Sequence, residues 1–415
     1  MGEVIIRKLD EKYVGYLSDE SSETGAAESI SFPETESEAI EILHTLNEMH
    51  VSDITVQGSR TGLKGRAVPH GGHIINCSRM KGVIDSGMIS RDEGHIVVQP
   101  GTTLQDLHEE IRKRFGKEGL FWPPAPSEES ATVGGIVASK AFGINYSGYG
   151  KTTDYVSQIK TLSGNGIVQS LRTSEDIEKY LNDENSFKLI TELSLKLIRR
   201  PEAIWGAAFF FDNAESAASF ADLLQSFQCN EGSYVIAMEY IDHASIVIAE
   251  EFRSEITEMQ KVPQIPDGTE SIVYIEVAGR EEENEETIMR IVEIAAEYGA
   301  DPDTAWALFS ESEAETMRKF RHSITEAATM VMARAHSNDP AVYLKSTDIT
   351  ASGKRFSECL GIVRDGIKSS KVSASVCAGI GCNMFRLCIM PESIEQMDSV
   401  HELIKKMIGE GMEVA

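Results

Sequence analysis

Apolar residues recur at helical spacing in some segments of the chain and cluster as short β runs in others. Beyond residue 34 they recur about every third or fourth position, with acidic residues between them, which predicts an amphipathic helix; they are Ala39, Ile40, Leu43, Leu46 and Met49. A second such helix is predicted over Leu104–Phe115. Strand-like runs lie at residues 54–56, 74–76, 83–84, 96–98 and 159–162. This mixture predicts an α+β domain that ends near Arg200 and Pro201.

The following part of the chain has a different order of elements. A helix over residues 215–227, strands over 234–240 and 271–277 and a helix over 285–298 predict a ferredoxin-like α+β unit. The acidic run at residues 281–286 precedes the last helix in this prediction. It is most simply a solvated helix start favoured by the helix dipole. The alternative is a docking patch for a basic partner.

Charge and cysteine content exclude several classes of protein. The 415 residues include 39 Lys and Arg against 66 Asp and Glu, a net charge of -27, which excludes a nucleic-acid-coating protein. No apolar stretch approaches the length of a membrane span, and the first residues lack a basic segment followed by an apolar one. Six cysteines without paired short spacings do not form a disulfide scaffold. We expect a cytoplasmic protein without a membrane span.

A glycine-containing, basic loop directly after a strand is the first candidate for chemistry. It runs from Gly58 to Pro69 and includes Arg60, Lys64 and Arg66. Such a turn offers successive backbone N–H groups to an anion, and basic side chains add attraction. The loop lacks the Gly-Lys-Ser/Thr ending of a P-loop and the Rossmann spacing. Taken alone, it is a phosphate site or an ordinary loop.

A run of small residues at 131–143 is the second candidate. Its sequence, Ala-Thr-Val-Gly-Gly-Ile-Val-Ala-Ser-Lys-Ala-Phe-Gly, lets backbone approach backbone or a flat cofactor closely. The alternative is a tightly packed corner between a helix and a loop.

Taken in order along the chain, these segments resemble a known family of flavoproteins. The resemblance covers residues 32–33, 58–69, 78–80, 98–101, 123–126, 131–150, 153–156 and 189–192. The chain resembles FAD-binding oxidoreductases of the vanillyl-alcohol oxidase (PCMH) type. Within them it is most similar to the glycolate oxidase and D-lactate dehydrogenase branch.

The resemblance implies a fold and a set of cofactor-binding residues. The fold is α+β: a two-subdomain FAD-binding domain over residues 1–200, then a ferredoxin-like cap or substrate domain over 201–390. Residues 391–415 would form a short C-terminal helix, truncated relative to the family. Residues 58–63 would hold the FAD pyrophosphate, and Thr132 to Ser139 the pyrophosphate and ribityl chain. The residues that the resemblance assigns to FAD are Gly58, Ser59, Arg60, Thr61, Gly62, Leu63, Ala67, Pro124, Ser127, Thr132, Gly134, Gly135, Ala138, Ser139, Gly143 and Ile190.

The chain departs from the family pattern at several of these positions. Relatives carry more glycines around Ser59, Arg60 and Arg66, and a Gly-Ser-Glu-Gly-Thr-Leu-Gly stretch at residues 182–188, where this chain has Asn-Asp-Glu-Asn-Ser-Phe-Lys. Lost glycines reduce room for the cofactor, whereas gained arginines could add charge-assisted phosphate bonds. The first loop has no histidine where covalently flavinylated relatives carry one. We therefore expect non-covalent FAD.

The usual metal site of the branch has no counterpart in this sequence. Relatives hold a divalent metal with a His-x-Gly-Asp-Gly-Asn-x-His segment and a later Glu-His-Gly. The matching stretch, residues 377–385, contains neither histidine nor carboxylate. Such a metal needs imidazoles and carboxylates, so we expect it to be absent. Cys377, Cys382 and Cys388 form either an unusual metal site or, more simply, buried packing thiols.

The resemblance also implies a substrate site and a reaction. Arg321 and Lys345 match regions that hold a substrate carboxylate, a task that suits a guanidinium. His322, beside Arg321, is the candidate base, although histidines also serve as surface or capping groups. We expect hydride transfer from a small 2-hydroxy acid to flavin N5, with electrons passing to an electron-transferring flavoprotein or an iron–sulfur subunit. An oligomer is compatible with this prediction. The alternative is a catalytically degenerate or electron-relay subunit that keeps the fold to bind a partner.

Overall fold

The computed structural model describes residues 6–21, 23–183, 187–339 and 341–414. Residues 184–186, which belong to the altered stretch at 182–188, lie outside the described residues. Residues 1–5, part of the N-terminal segment in which a targeting signal was sought, also lie outside them. The chain divides into two units, one of residues 1–143 and 150–200, the other of residues 144–149 and 201–415. The domain boundaries drawn from the resemblance remain predictions.

The first unit begins with a small sheet backed by a helix. Its elements are β1 (Arg7–Lys8), β2 (Ser29–Ser31), α1 (Glu36–Glu48), β3 (Ile54–Gln57) and β4 (His73–Asn76). The strand order is β1-β2-β4-β3, and β2 and β3 both run parallel to β4. Thr35 caps α1, and Leu43 and Leu46 are fully buried against the sheet. Met49, expected on the buried face, is exposed because the helix ends at Glu48.

A larger antiparallel sheet forms the rest of the first unit. Its elements are β5 (Val83–Met88), β6 (Glu93–Val98), α2 (Leu104–Phe115), β7 (Leu120–Phe121), α3 (Val133–Ala138), β8 (Val156–Leu162), β9 (Val168–Leu171), α5 (Ser174–Asn182) and β10 (Leu189–Arg199); the short α4 (Tyr146–Tyr149) belongs to the second unit. The strand order is β5-β6-β10-β8-β9, with β7 paired to β10. The predicted helix over Leu104–Phe115 is confirmed, and Thr103 caps it.

The second unit opens with the predicted ferredoxin-like arrangement. Its elements are β11 (Ala203–Phe211), α6 (Ala214–Gln225), β12 (Ser233–Asp242), α7 (His243–Glu251), β13 (Ser271–Gly279), α8 (Glu281–Glu297) and β14 (Trp306–Leu308). The strand order β14-β11-β13-β12 is that of a βαββαβ unit. Because α8 begins at Glu281, the acidic run forms the first turns of this helix and does not precede it, which corrects the prediction. Carboxylates at this end are favoured by the helix dipole.

A second βαββαβ arrangement follows that the sequence analysis did not identify. After the long α9 (Glu311–Asn338) come β15 (Lys345–Thr350), α10 (Phe356–Ser370), β16 (Ser373–Gly379), β17 (Met384–Met390), α11 (Ile394–Gly409) and β18 (Glu413–Val414). The order β16-β17-β15-β18 repeats the pattern, and β12 pairs with β16, so the two arrangements share one continuous sheet. The predicted C-terminal helix is α11, which packs on α10.

The two faces of this sheet differ in chemistry. One face is apolar and packs against α6, α8, α10 and α11 through residues such as Phe209, Ile275 and Leu387. Side chains alternate along a strand, so the neighbouring positions lie on the opposite face. That face carries Glu276, Glu239, Cys377, Arg386 and Asp348 and is the one that α9 reaches. None of the helices in the described ranges combines the length and apolarity that crossing a membrane requires.

Candidate functional site

The two candidate loops of the first unit lie against each other. The first loop follows β3, and the second leads into α3. A Cβ atom on Gly58 would lie 2.1 Å from Thr132 Oγ1, so this contact requires glycine. The Thr132 backbone N–H donates to Ser59 Oγ at 3.1 Å, and Asn76 Nδ2 donates to the Gly58 carbonyl at 3.0 Å. The structure thus brings together two segments that are about seventy residues apart in sequence.

Some glycines of this region are required by packing within the protein. A Cβ on Gly134 would lie 2.6 Å from Pro100 Cβ, and one on Gly143 would lie 1.8 Å from the Ala125 carbonyl oxygen. Thr132 caps α3 by accepting from the Gly135 N–H at 3.4 Å. One alternative from the sequence was a tightly packed corner between a helix and a loop. The structure contains such a corner.

Other positions of the same region are open. Gly62 is exposed, and a Cβ there would meet no atom within 4 Å. Gly135 and Ser139 are also exposed, on the side of α3 that is not buried in the core. Small residues and accessible backbone at the meeting point of two loops suit an extended dinucleotide with a charged pyrophosphate. The residues present fit FAD.

The basic side chains of the first loop are engaged with the protein. Arg60 has a left-handed backbone conformation, with φ 65°. Its guanidinium donates to the Gly15 and Ser18 carbonyls and lies 4.5 Å from the centre of the Tyr16 ring. Arg66 Nη1 lies 3.5 Å from the Ser139 carbonyl. The Arg60 side chain therefore holds residues 15–18 against the loop.

The remaining residues assigned to FAD differ in their surroundings. The Ala67 N–H donates to Asp19 at 3.4 Å, Pro124 is buried and Ser127 is exposed. Ile190 is 5% exposed and belongs to the apolar core of the larger sheet. Thr61, Leu63, Ala67 and Ala138 are half-buried.

Arg321 of α9 reaches the polar face of the sheet in the second unit. Its Nε donates to Glu239 Oε2 on β12 at 2.7 Å, and the two side chains are 8% and 3% exposed. One helical turn away, Arg318 Nε donates to Glu276 Oε1 at 2.7 Å, and the Tyr274 hydroxyl donates to the same oxygen at 2.6 Å. Two guanidiniums are thus fixed by buried carboxylates on neighbouring strands.

A small recess lies between α9 and the polar face. Arg321, Ile324 and Thr325 line it from the helix, and Ser375, Cys377, Arg386 and Cys388 line it from β16 and β17; most of the exposed lining is apolar. Arg386 Nε donates to Asp348 Oδ1 at 3.0 Å, and this carboxylate raises the pKa of Arg386. The recess has room for about one water molecule.

His322 and Lys345 do not line this recess. Successive residues of a helix point about 100° apart, and His322, which follows Arg321, has a buried Nδ1 atom. Lys345 begins β15, where alternation places it with Ile349 and not with Asp348. Its ammonium lies 4.3 Å from the centre of the Tyr343 ring. The structure brings Arg321 together with Arg386, a residue that sequence reasoning missed.

Sequence reasoning missed the buried acidic residues as well. Glu239 and Glu276 are 2% and 0% exposed, each within a strand whose other residues are largely apolar. A charge in the middle of a buried strand costs free energy unless it is paired. That interruption of the apolar pattern was the signal that could have identified them.

The segment that matches the family's metal site forms β16, a turn and β17. Burial raises the pKa of the Cys377 and Cys382 thiols to about 12 and that of Cys388 to about 11. At neutral pH these thiols are therefore protonated. Within the ranges that the structure describes, no group of three or more His, Cys, Asp or Glu side chains is placed to hold a metal ion. The residues do not fit the metal of the branch.

Solved structures with the same fold include an oxidase and a methylhydroxylase. The chain aligns with 4-ethylphenol oxidase from Gulosibacter chungangensis at a TM-score of 0.74 and 16% identity, over 100% of this chain and 86% of that chain. Its TM-score to p-cresol methylhydroxylase is also 0.74, at 11% identity, over 99% and 85% of the two chains. At these identities the likeness shows the fold.

Curated relatives with similar sequences are named as dehydrogenases and oxidases. The chain is 29% identical over 259 residues to a D-lactate dehydrogenase of Anaerostipes hadrus, covering 60% of this chain and 51% of that protein. It is 24% identical over 313 residues to glycolate oxidase subunit GlcD of Bacillus subtilis, covering 72% and 61%. The chain thus spans about half to two thirds of these relatives.

Two family models cover most of the chain. Residues 27–172 match an FAD binding domain, and residues 200–415 match the C-terminal domain of FAD linked oxidases. The first match contains the two loops that meet at Gly58 and Thr132. The second contains the sheet that carries Glu239 and Arg386, and it spans more than half of the 415 residues. The chain belongs to the family of FAD-linked oxidases.

Proposed function

We propose that this FAD-linked oxidoreductase oxidises a small 2-hydroxy acid, similar to lactate or glycolate, to the 2-oxo acid. The observation that carries the proposal is the position of Arg321, whose guanidinium is fixed by Glu239 beside a small recess that Arg386 also lines. The names of the relatives support the same substrate class, since they include D-lactate dehydrogenase, a glycolate oxidase subunit and D-2-hydroxyglutarate dehydrogenase.

In the proposed reaction, Arg321 holds the substrate carboxylate. Its bond to Glu239 uses Nε, and the two terminal nitrogens of a guanidinium can bind a carboxylate in a bidentate manner. Bound FAD supplies a two-electron acceptor for the hydride that leaves the substrate Cα. The hydroxyl proton goes to a base, and His322 is our candidate for that role because it adjoins Arg321 on α9. Alternation along its strand places Lys345 away from the recess, so its predicted contribution to carboxylate binding is not part of this proposal.

The first unit supplies the cofactor-binding residues in this proposal. The backbone of residues 58–63, with Thr132, Gly135 and Ser139, would hold the pyrophosphate and ribityl chain. The absence of a histidine from residues 58–69 supports non-covalent attachment. We further propose a cytoplasmic enzyme whose reduced flavin passes electrons to an electron-transferring flavoprotein or an iron–sulfur subunit. The strongly acidic chain, with net charge -27, would then favour a basic docking surface on that partner.

Anaerobic titration with 2-hydroxy acids tests the proposed function. The flavin-loaded chain is mixed with D- and L-lactate, glycolate and D-2-hydroxyglutarate, and bleaching of the flavin absorbance is followed. We expect at least one 2-hydroxy acid to bleach the flavin and to yield its 2-oxo acid, and the matching alcohol without a carboxylate to leave it oxidised. A flavin-loaded chain that none of these acids reduces would contradict the proposal and favour the electron-relay alternative.

A further inference from the structure

Two guanidiniums line the same recess from opposite sides. Arg321 reaches it from α9, and Arg386 reaches it from β17. Ile324, Thr325, Ser375, Cys377 and Cys388 complete the lining, most of whose exposed surface is apolar. Two guanidiniums beside one small space suit the carboxylate of a small organic acid.

The sheet register explains how Arg386 arrives at this position. Arg386 pairs with Cys377 on β16 and with Asp348 on β15, so the three residues form a row across neighbouring strands. Cross-strand partners lie on the same face, which is the face that α9 reaches. The bond from Nε to Asp348 Oδ1 at 3.0 Å fixes the side chain within that row. Asp348 and Glu239 thus hold the two guanidiniums in the same way.

This row includes Cys377, which begins the segment that matches the metal-binding segment of the family. The residues present here do not fit that metal. Cys377 lies at the start of the matched segment, directly opposite Arg386. In the described ranges no group of three or more His, Cys, Asp or Glu side chains is placed to hold a divalent cation. An arginine carries a permanent charge and can bind a carboxylate through two parallel hydrogen bonds. The cationic groups at this place of the sheet are therefore two guanidiniums, each paired through Nε with a carboxylate.

We infer that Arg386 and Arg321 together bind the carboxylate of a small organic acid at this recess, without a metal ion. The inference rests on the proposed function for the identity of the reacting acid. One carboxylate oxygen takes the space that now suits a water molecule. Arg386 contributes charge to substrate binding, and Asp348 positions it.

Binding of oxalate, a carboxylate that is not a 2-hydroxy acid, tests the inference on the full chain. Isothermal titration calorimetry is performed before and after treatment with EDTA, so the result does not depend on turnover. We expect the same Kd in both conditions. Arg386→Gln should weaken oxalate binding at least tenfold, and Arg386→Lys should weaken it less, because a charge remains but the bidentate bond is lost. The matched control is Arg364→Gln, which removes an exposed arginine from the same unit and should leave the Kd unchanged.

Loss of the Arg386 side chain leaves Asp348 buried without its partner, so folding is checked separately. If Arg386→Gln is destabilised, the double variant Arg386→Gln/Asp348→Asn removes both charges and should fold while still failing to bind oxalate. Unchanged affinity in either folded variant would overturn the inference. So would affinity that EDTA abolishes and Mn²⁺ or Zn²⁺ restores. If oxalate binds as expected but no 2-hydroxy acid bleaches the flavin, the recess inference stands and the proposed function fails.

Discussion

Arg321 on α9 and Glu239 on β12 form a buried ion pair across 82 residues of sequence, with 2.7 Å between Nε and Oε2. Arg364 and Glu215 form a pair of the same length, 2.7 Å, whose side chains are 48% and 73% exposed. The two pairs differ in burial. Burial determines how much free energy is lost when one partner is removed, because a buried charge without a partner is poorly solvated.

Glu239→Gln should therefore destabilise the protein far more than Glu215→Gln. We expect Glu239→Gln to lower the free energy of unfolding by about 3 kcal/mol or more. We expect Glu215→Gln to lower it by less than about 1 kcal/mol, because solvent screens the exposed pair. Urea denaturation followed by circular dichroism measures both values. Equal effects of the two substitutions would contradict the structural role given to the buried pair.

Gly62 tests the cofactor loop without disturbing its packing. A Cβ at this position meets no protein atom within 4 Å, so Gly62→Ala should fold normally. If the open space is where FAD lies, the added methyl group should weaken FAD binding about tenfold, or about 1.4 kcal/mol. Gly361 on α10 also has no atom within 4 Å of a built Cβ, and Gly361→Ala is the control that should keep wild-type affinity. Flavin fluorescence titration of apoprotein provides the comparison. Wild-type affinity in Gly62→Ala would place the cofactor elsewhere.

His73 gives the first unit a specific dependence on pH. Its ring lies between Ser29 Oγ at 2.7 Å and Ser31 Oγ at 2.8 Å, and burial lowers its pKa to about 4 from the ordinary 6.5. Below pH 6.5 the His73 imidazole is protonated in the unfolded chain and stays neutral in the folded chain. The free energy of unfolding therefore falls as the pH decreases toward 4. Above pH 6.5 both states are neutral, and the contribution is fully retained. The full difference is about 3 kcal/mol.

Replacing this histidine should flatten the pH dependence. We expect the free energy of unfolding of His73→Gln to fall less between pH 7 and pH 4.5 than that of the wild type, whatever its absolute value at pH 7. Chemical denaturation across this range gives the two slopes. Parallel slopes would mean that His73 titrates in the folded chain as it does in the unfolded one.

The thiols of the sheet should resist modification in the folded protein. Cys377 and Cys388 are buried, and burial raises their pKa values to about 12 and about 11. The thiolate is the reactive form, so iodoacetamide at pH 8 should leave both residues unmodified in the native chain and alkylate them after unfolding. Peptide mass spectrometry identifies each site. Rapid alkylation of either cysteine in the native chain would indicate an accessible thiolate. It would contradict the assignment of these cysteines as buried packing thiols.

The sequence predicted those helices and strands whose apolar spacing and capping residues are close together in the chain. The helix over Leu104–Phe115 is an example, since its apolar spacing and its cap at Thr103 are adjacent in sequence. The second βαββαβ arrangement was missed although its strands alternate, because one face carries small and polar residues such as Ser375, Cys377 and Arg386. These residues face α9 and are stabilised by partners on other elements.

The candidate site depends even more on distant partners. The glycine at position 58 was identifiable as part of a loop, but its need for glycine comes from Thr132. Arg321 was identifiable through the family resemblance, whereas Glu239 and Arg386 become visible only when the strand register is known. Contacts between residues far apart in sequence explain why the recess was not predicted.

The most direct test of the whole account is the absorbance spectrum of the purified chain, before and after heat denaturation. We predict the two bands of oxidised flavin, in the near ultraviolet and the blue. Both bands should move into the supernatant when the precipitated protein is removed, because the FAD is not covalently bound. A spectrum without these bands, unchanged after FAD is added, would contradict the account and show that the loops at Gly58 and Thr132 do not hold the cofactor.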